Sequence, residues 1–497
     1  MRYSLVCVLA LVVGLGAAET NVLEIVPKPN APFVLAKKEE LDAVKHKVEV
    51  YMSKPVHEVK AHPAAKYFPG EVTSSERVTR DVTFNYNTLY RWDPKAPNAP
   101  WDTCTPPDAW QETGLYAAPG EIVKVNVGEI PKSRQISVII GCHTDGLFED
   151  VKESNKISWN RFPLISREFK LTAGVNQIAN AFGGQIFIWV KPEDDAKAGL
   201  VKPANAHATM TFSHAVAMPV FHEHRDTLAT WKKTLAESPA PWGNIVSQHM
   251  ILHLPREVLE HIADPKAVIL WWDKVIEAED DLVNLQRHAP ERVVPDIQID
   301  GGYLHSGYPF MCHLDPHAHE MIDLEKLRKE GNWGFFHELG HNHQNPKWTF
   351  KEKNSDQIEV TCNFFSMYCM EKISGVELKN QHPDFQNLDK LLSRRFGNPP
   401  NMEPFEQLSP FVLLIRAHGW EPMREVLRSY AKPLDEGIKG EPALQNLFVQ
   451  RYGMAAKSNV APFFAKMGYP ITKATKAQLQ AFPLFDPPLP KEVTKGK

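Results

Sequence analysis

Neither a strong charge nor an extended apolar run marks this chain of 497 residues. Its 56 Lys and Arg nearly balance 60 Asp and Glu, leaving a formal net charge of −4, and the two signs are interspersed. Basic patches interleaved with aromatics are absent, so nothing asks for a nucleic-acid partner. Beyond residue 18 no stretch reaches the roughly 20 apolar residues that cross a bilayer, which argues against a transmembrane segment. There is no Asn-x-Ser/Thr acceptor, so N-linked glycosylation is not expected. Cysteine is scarce, at six, and its spacing forms no Cys-based zinc motif.

Residues 1–18 carry one positive charge at Arg2, then an apolar core, then Gly16 and Ala18 as small residues at the −3 and −1 positions of a cleavage site. That pattern predicts a signal peptide cut after Ala18 and a secreted, extracellular protein. Cys7 would leave with the signal, and Cys104, Cys142, Cys312, Cys362 and Cys369 would remain. An odd set keeps at least one thiol free or paired between chains. Cys362 and Cys369 lie seven residues apart on one expected helix. They are about 10 Å apart along it, too far for a bridge within that helix.

Forty prolines and 27 glycines favour turns and strands over a helical bundle, and the length allows two or three domains. Residues 19–80 are charged, with helical spacing of Leu41, Val44 and Val48 over 37–51 and no evident role. Over 81–217 the period changes to two. Val123, Val125 and Val127 alternate with polar neighbours, as do Ile136, Val138 and Ile140, and a strand over 185–190 follows the Gly183-Gly184 turn. These short strands predict a β-sandwich-like region. Trp92, Trp101, Trp110 and Trp159 fall in it and could stack on sugars, although most tryptophans are core. From 218 to 470 helical spacing dominates, at 227–235, 264–283, 408–417 and 422–430, with Asp264-Pro265 as a cap and first-position proline. Residues 471–497 read as a partly disordered tail. The expected class is α+β, a β-sandwich-like region followed by a mainly helical domain.

The chemistry concentrates at His337-Glu338-Leu339-Gly340-His341. On a helix, residues i and i+4 lie one above the other, so the two imidazoles meet at one point. They suit two protein ligands of a catalytic Zn²⁺, with one position left to water, and Glu338 stands beside that water as its proton acceptor. Glu359, eighteen positions after His341, would supply the third ligand from a second helix at 357–365. The Asn345-Pro346 step ends the first helix, so helix, turn and helix return the carboxylate to the histidines. Asn363 shares the face of Glu359 and could orient it. Gln344 lies on the metal face and could orient a ligand or touch substrate, whereas His343 points off it. Gly340 costs about 1 kcal/mol relative to alanine inside a helix and so signals a close approach by a neighbouring strand or by substrate. Residues 296–309 read as an edge strand and loop before the metal helix, with His305 and Tyr308 as possible donors to an oxyanion. His313, His317 and His319 form a looser cluster that reads as surface histidines rather than a second metal site.

The run His-Glu-x-Gly-His-x-x-Gln from His337 to Gln344, followed by Glu359-Val-x-x-Asn363, resembles the M60 (enhancin-like) zinc metallopeptidases. Residues 113–121, 140–145, 161–163, 178–184, 307–309 and 459–464 are similar to further pieces of that pattern in order, covering roughly 110–470. The resemblance extends to channel-associated-factor-like members of animals. It implies a zincin catalytic domain with one Zn²⁺ per chain, hydrolysing peptide bonds in O-glycosylated, mucin-like proteins. The rival reading is a secreted glycan- or protein-binding module that keeps the zincin fold without catalysis. Glu338 discriminates, because a binding module has no use for a general base.

Overall fold

A computed structural model describes residues 21–35, 37–101, 106–148, 157–191, 206–352, 355–397 and 401–489. The expected signal peptide, Cys104 and the last eight residues of the expected tail lie outside the described residues. The helical spacing near the N-terminus is realised as α1 (Leu41–Met52), which buries Val44, Val48 and Met52. That face enters a core with Phe68, Trp159, Phe182 and Trp242, so the segment before residue 80 is anchored against the rest of the protein.

Period-two alternation builds the next layer. Its strands are β1 (Val78–Asn85), β2 (Gln111–Ala117), β3 (Val123–Val127), β4 (Ile136–Ile140), β5 (Arg167–Lys170), β6 (Gly174–Ile178), β7 (Gly184–Val190) and β8 (His207–Ala217). They run in the order β6-β3-β8-β2-β7-β4-β5, with β1 also on β8. Strand β8 belongs to both halves: Met210–Ser213 pair with β3, whereas Val216 and Ala217 pair with β2. The change falls at a bulge between Ser213 and Ala215, where His214 takes φ of 64°. A bulge bends its strand and sharpens the twist, which folds the sheet over on itself. Val82, Phe84, Leu115, Val125, Val138, Ile186 and Phe212 then share one core between the two halves.

The following region carries a second, six-stranded sheet. Its members are β9 (Val220–His222), β10 (Trp242–Val246), β11 (Met250–Pro255), β12 (Glu291–Asp296), β13 (Leu304–His305) and β14 (Phe310–His313), in the order β9-β10-β11-β12-β14-β13. The sequence pointed only to its last edge. Strands β11 and β12 are buried along their whole length, so they show no alternation to distinguish them from buried helix. Helices pack on this sheet, among them α2 (Leu228–Glu237), α3 (Pro265–Val283) and α4 (Trp333–His341). Asp264 caps α3 through the Ala267 amide, with Pro265 at the first position. A second helical core adds α5 (Ile358–Lys372), α6 (Pro404–His418), α7 (Glu421–Ser429) and α8 (Glu441–Ala455). Residues 471–489 do not trail away: Leu479 is buried in this core and Phe482, Phe485 and Leu489 pack on it. No helix among the described residues is long and apolar enough to cross a membrane.

Candidate metal centre

Helix α4 starts where the Asn332 side chain accepts the Phe335 amide at 3.1 Å, and Phe335, Phe336 and Leu339 fix it by burial. It stops at His341, earlier than Pro346 requires. The amides of His343 and Gln344 turn back to Gly340 and His341 carbonyls, tightening the last turn into i→i+3 bonds. Helix α5 crosses directly behind. At Gly340 an added Cβ would lie 2.6 Å from the Cys362 carbonyl oxygen and 3.0 Å from the Phe365 Cβ. The close neighbour is therefore the second ligand-bearing helix, not a strand or the substrate.

That approach brings the donors together. Ligand atoms of His337, His341, Glu359 and Cys362 all lie within 4.8 Å of one another. The Nε2 atoms of the two histidines are 3.1 Å apart, and Glu359 oxygens reach them at 3.1 and 3.6 Å. Two amides decide what those Nε2 atoms can do. Gln344 Nε2 donates to the Ile358 carbonyl and to Thr361, so its Oε1 is turned to His341 Nδ1 at 2.7 Å. Asn363 Nδ2 donates to the Glu359 carbonyl, so its Oδ1 faces His337 Nδ1 at 2.8 Å. Each Nδ1 must donate its proton to an amide oxygen, which leaves both neutral Nε2 lone pairs facing one another beside a carboxylate. Such a donor set fits Zn²⁺. Cys362 Sγ lies 3.6 and 3.7 Å from the two ring nitrogens of His337, beside the ring and off the axis of the Nε2 lone pair.

The electrostatics agree. Burial opposes charge on both imidazoles, yet Cys362 and Glu359 outweigh it, and His337 is pushed up to about 10. Hydrogen bonds to the two histidines hold the Glu359 carboxyl well below the usual range. The pocket is thus set for positive charge, which a bound cation supplies with the imidazoles neutral. Glu338 is raised, chiefly by burial, against the pull of both histidines and a backbone hydrogen bond from Ser306. Burial strengthens it as a base. It lines an open cleft of about 440 Å³ with Trp101, Asp145, His305, His341, Gln344 and Glu359.

Not every expected partner falls into place. Asn363 orients His337 and not the Glu359 carboxylate, because its amide nitrogen is committed to a backbone carbonyl. Tyr308 turns away from the cleft, with its ring against Trp110 and under the Arg91 guanidinium. Asp300–Gly302 and Leu304–Ser306 line the cleft, while Gly307 is clamped by Asn342 through its amide and carbonyl at 2.9 and 3.0 Å. His305 reaches the cleft, but both its ring nitrogens are engaged, with Asp145 and with the Ser306 carbonyl. His343 points into the interior and bonds Asp280 at 2.9 Å. His313 stacks on Tyr303 and His319 meets His261; among the described residues no second group of three potential ligands forms. Trp92, Trp110 and Trp159 are buried, while Trp101 lines the cleft and donates its amide to the Gln344 carbonyl. Cys142, Cys312, Cys362 and Cys369 are free and buried. Asp145 had no assigned role from sequence; its signal was its place at the end of the 140–145 piece that resembles the M60 pattern.

The family model for Peptidase M60, enhancin and enhancin-like, matches residues 214–468. The chain belongs to the M60 peptidase family. A second match, to the N-terminal domain of M60-like peptidases, covers 76–201 of this M60 chain. The TRPM8 channel-associated factor homolog of Xenopus laevis is 30% identical over 390 residues, covering 76% of this chain and 40% of that protein. The chain thus spans about two-fifths of the length of the curated relatives it matches. A solved conserved protein of unknown function from Bacillus anthracis superposes with a TM-score of 0.61 at 21% identity, covering 82% of this chain and 80% of its own. The M60 catalytic domain from Clostridium perfringens ZmpC, in complex with the sialyl T antigen, gives 0.57 at 16%, with 82% and 80% covered. These likenesses establish the M60 fold. Within that fold, Gly340→Ala is expected to force α4 from α5, costing about 1–3 kcal/mol in stability and weakening metal binding together with it. Chemical denaturation and metal titration of the variant check this; unchanged values for both would mean the helices can part without consequence.

Proposed function

We propose that this M60 chain is a secreted zinc metalloendopeptidase that hydrolyses peptide bonds in O-glycosylated, mucin-like proteins. The observation that carries the reading is the convergence of His337, His341 and Glu359 beside Glu338 in one open cleft, with both histidine tautomers fixed by amides. His337, His341 and Glu359 would hold one Zn²⁺ per chain. Bound there, zinc would supply Lewis acidity, making a water acidic near neutral pH and polarising the scissile carbonyl. Glu338 takes the proton of the attacking water and hands it to the leaving amine. Gln344 and Asn363 keep the imidazoles in the tautomer and orientation that ligation needs. The glycan element is supported by two solved relatives of the fold, one in complex with the sialyl T antigen and one with the Tn antigen. Secretion rests on residues 1–18.

The test is metal content with hydrolysis. Purified protein is expected to hold about one zinc per chain and to cleave an O-glycosylated peptide until a chelator is added. His341→Ala and Glu359→Ala are each expected to lose most of the metal while the β-sandwich stays folded. Stoichiometric zinc in the double variant would remove the assignment. A second reading, a protein-binding module, is favoured by the curated relatives being channel-associated factors by name. Full zinc with no hydrolysis of any glycopeptide by the unaltered protein would select it.

A further inference from the structure

We propose that Asp145, carried by the β-sandwich, is a positioning residue for the proteolytic cleft, holding the rim at 300–306 against Glu338. The proposal rests on the reading of Glu338 as the general base. Asp145 lies beyond β4, and its side chain is 9% exposed. One of its oxygens, Oδ2, accepts both the Asp300 amide and His305 Nε2, each at 2.9 Å. A single carboxylate oxygen therefore grips both ends of a loop whose middle holds the exposed glycines Gly301 and Gly302. The far end continues into the catalytic machinery: His305 Nδ1 donates to the Ser306 carbonyl at 2.9 Å, and the Ser306 amide bonds the Glu338 carboxylate. Tyr303 gives the loop a more exposed tether to Asp315 at 2.6 Å.

Asp145 is itself fixed from behind. Arg161 donates to its backbone carbonyl at 3.1 Å and pairs with Asp296 through two contacts of 2.8 Å, with both charged side chains fully buried. Next to this pair, Gln298 accepts the Asn160 amide and donates to the Ser158 carbonyl. The β-sandwich thus holds the stretch entering the rim as well as the rim itself. On this view it is a working part of the catalytic unit, whatever else it binds.

The bonding pattern also fixes a charge. A carbonyl and a carboxylate cannot donate, so both His305 nitrogens carry hydrogen and the ring is an imidazolium. Burial works against that charge, but the bond to Asp145 outweighs it, with help from the Ser306 carbonyl and from Glu338, and His305 is pushed up to about 8. Arg161, behind Asp145, helps to hold the Asp145 carboxylate ionised. A raised value means the paired state is complete below the ordinary histidine value near 6.5 and is lost as pH rises through about 8.

Asp145→Asn in the full chain tests the clamp by two readouts. Amide hydrogen exchange over 300–306 at pH 7 is expected to speed up about tenfold or more, with protection elsewhere and zinc content unchanged. On a glycopeptide, kcat is expected to fall about tenfold or more, as for a displaced catalytic group, with KM changing far less and the alkaline fall in rate moving to lower pH. His305→Gln removes the same bond from a side chain one-third exposed and is expected to give the same local pattern, so it carries the test should Asp145→Asn misfold. Unaltered exchange and kcat in the folded variants overturn the proposal while leaving the endopeptidase intact. A loosened rim in a protein that hydrolyses nothing even when unaltered would keep the tether and remove the endopeptidase reading.

Discussion

Glu338→Gln is expected to retain its full zinc content and to lose hydrolysis by about a thousandfold or more, the upper part of the range for removing a positioned general base. The amide occupies the space of the carboxylate and can still accept the Ser306 amide, so the cleft keeps its shape. It cannot take a proton from water. Because burial raises Glu338, hydrolysis by the unaltered protein should also slow as pH falls through that raised value, the carboxylate being the active form. The acid side of the rate profile should vanish with the variant's activity. Measuring zinc and single-turnover hydrolysis on the same preparation separates base from ligand; a variant as active as its parent would pass the role to another residue.

A large effect is also expected on the substrate side. One peptide with and without a GalNAc on the residue beside the cleavage site should differ in kcat/KM by about 10²-fold or more, short of the roughly 10⁴-fold of a site with buried sugar-bonding groups, because the polar edges here face solvent. Trp101 lines the cleft beside Gln344 and offers an apolar face, while Asp300 and the exposed glycines beside it offer polar edges. Equal rates on the two peptides would leave a zinc endopeptidase without a glycan requirement.

The first metal helix could be read from the sequence because its signal is local: two histidines four apart share a face on any α-helix. Glu359 opens the next helix, which is buried all round from Val360 to Met370 and so carries no one-sided apolar period. What Gly340 was for could be half read: an unfavourable helix residue pointed to a close approach, but only the fold shows that α5 makes it. The alternating valines of β3 gave that strand directly, since its burial alternates residue by residue. Strands β11 and β12 left no such trace, being buried on both faces. The role of Asn363 went to His337 because a competing backbone carbonyl, invisible in the sequence, takes its amide nitrogen. His305 was singled out as a possible donor and Asp145 closed a family-like piece, but the bond between them was beyond reach for a similar reason. Their pairing depends on how two distant segments dock, and spacing along the chain carries no information about that.

The bent strand β8 sets an order of events during synthesis. It is the last strand of the sandwich to leave the ribosome, yet Met210 pairs with Val82 of the first strand as well as with Val127 of the third, and Val216 pairs with Tyr116. Neither half can close until residue 217 is available. Until then β1 has no partner, and the apolar faces of Val82 and Phe84 wait exposed in a growing polypeptide. A nascent chain halted before β8 would therefore hold two unjoined pieces, β6-β3 and β2-β7-β4-β5, with β1 unpaired. The N-terminal module matures only when its final strand arrives, just ahead of the domain whose cleft it helps to hold.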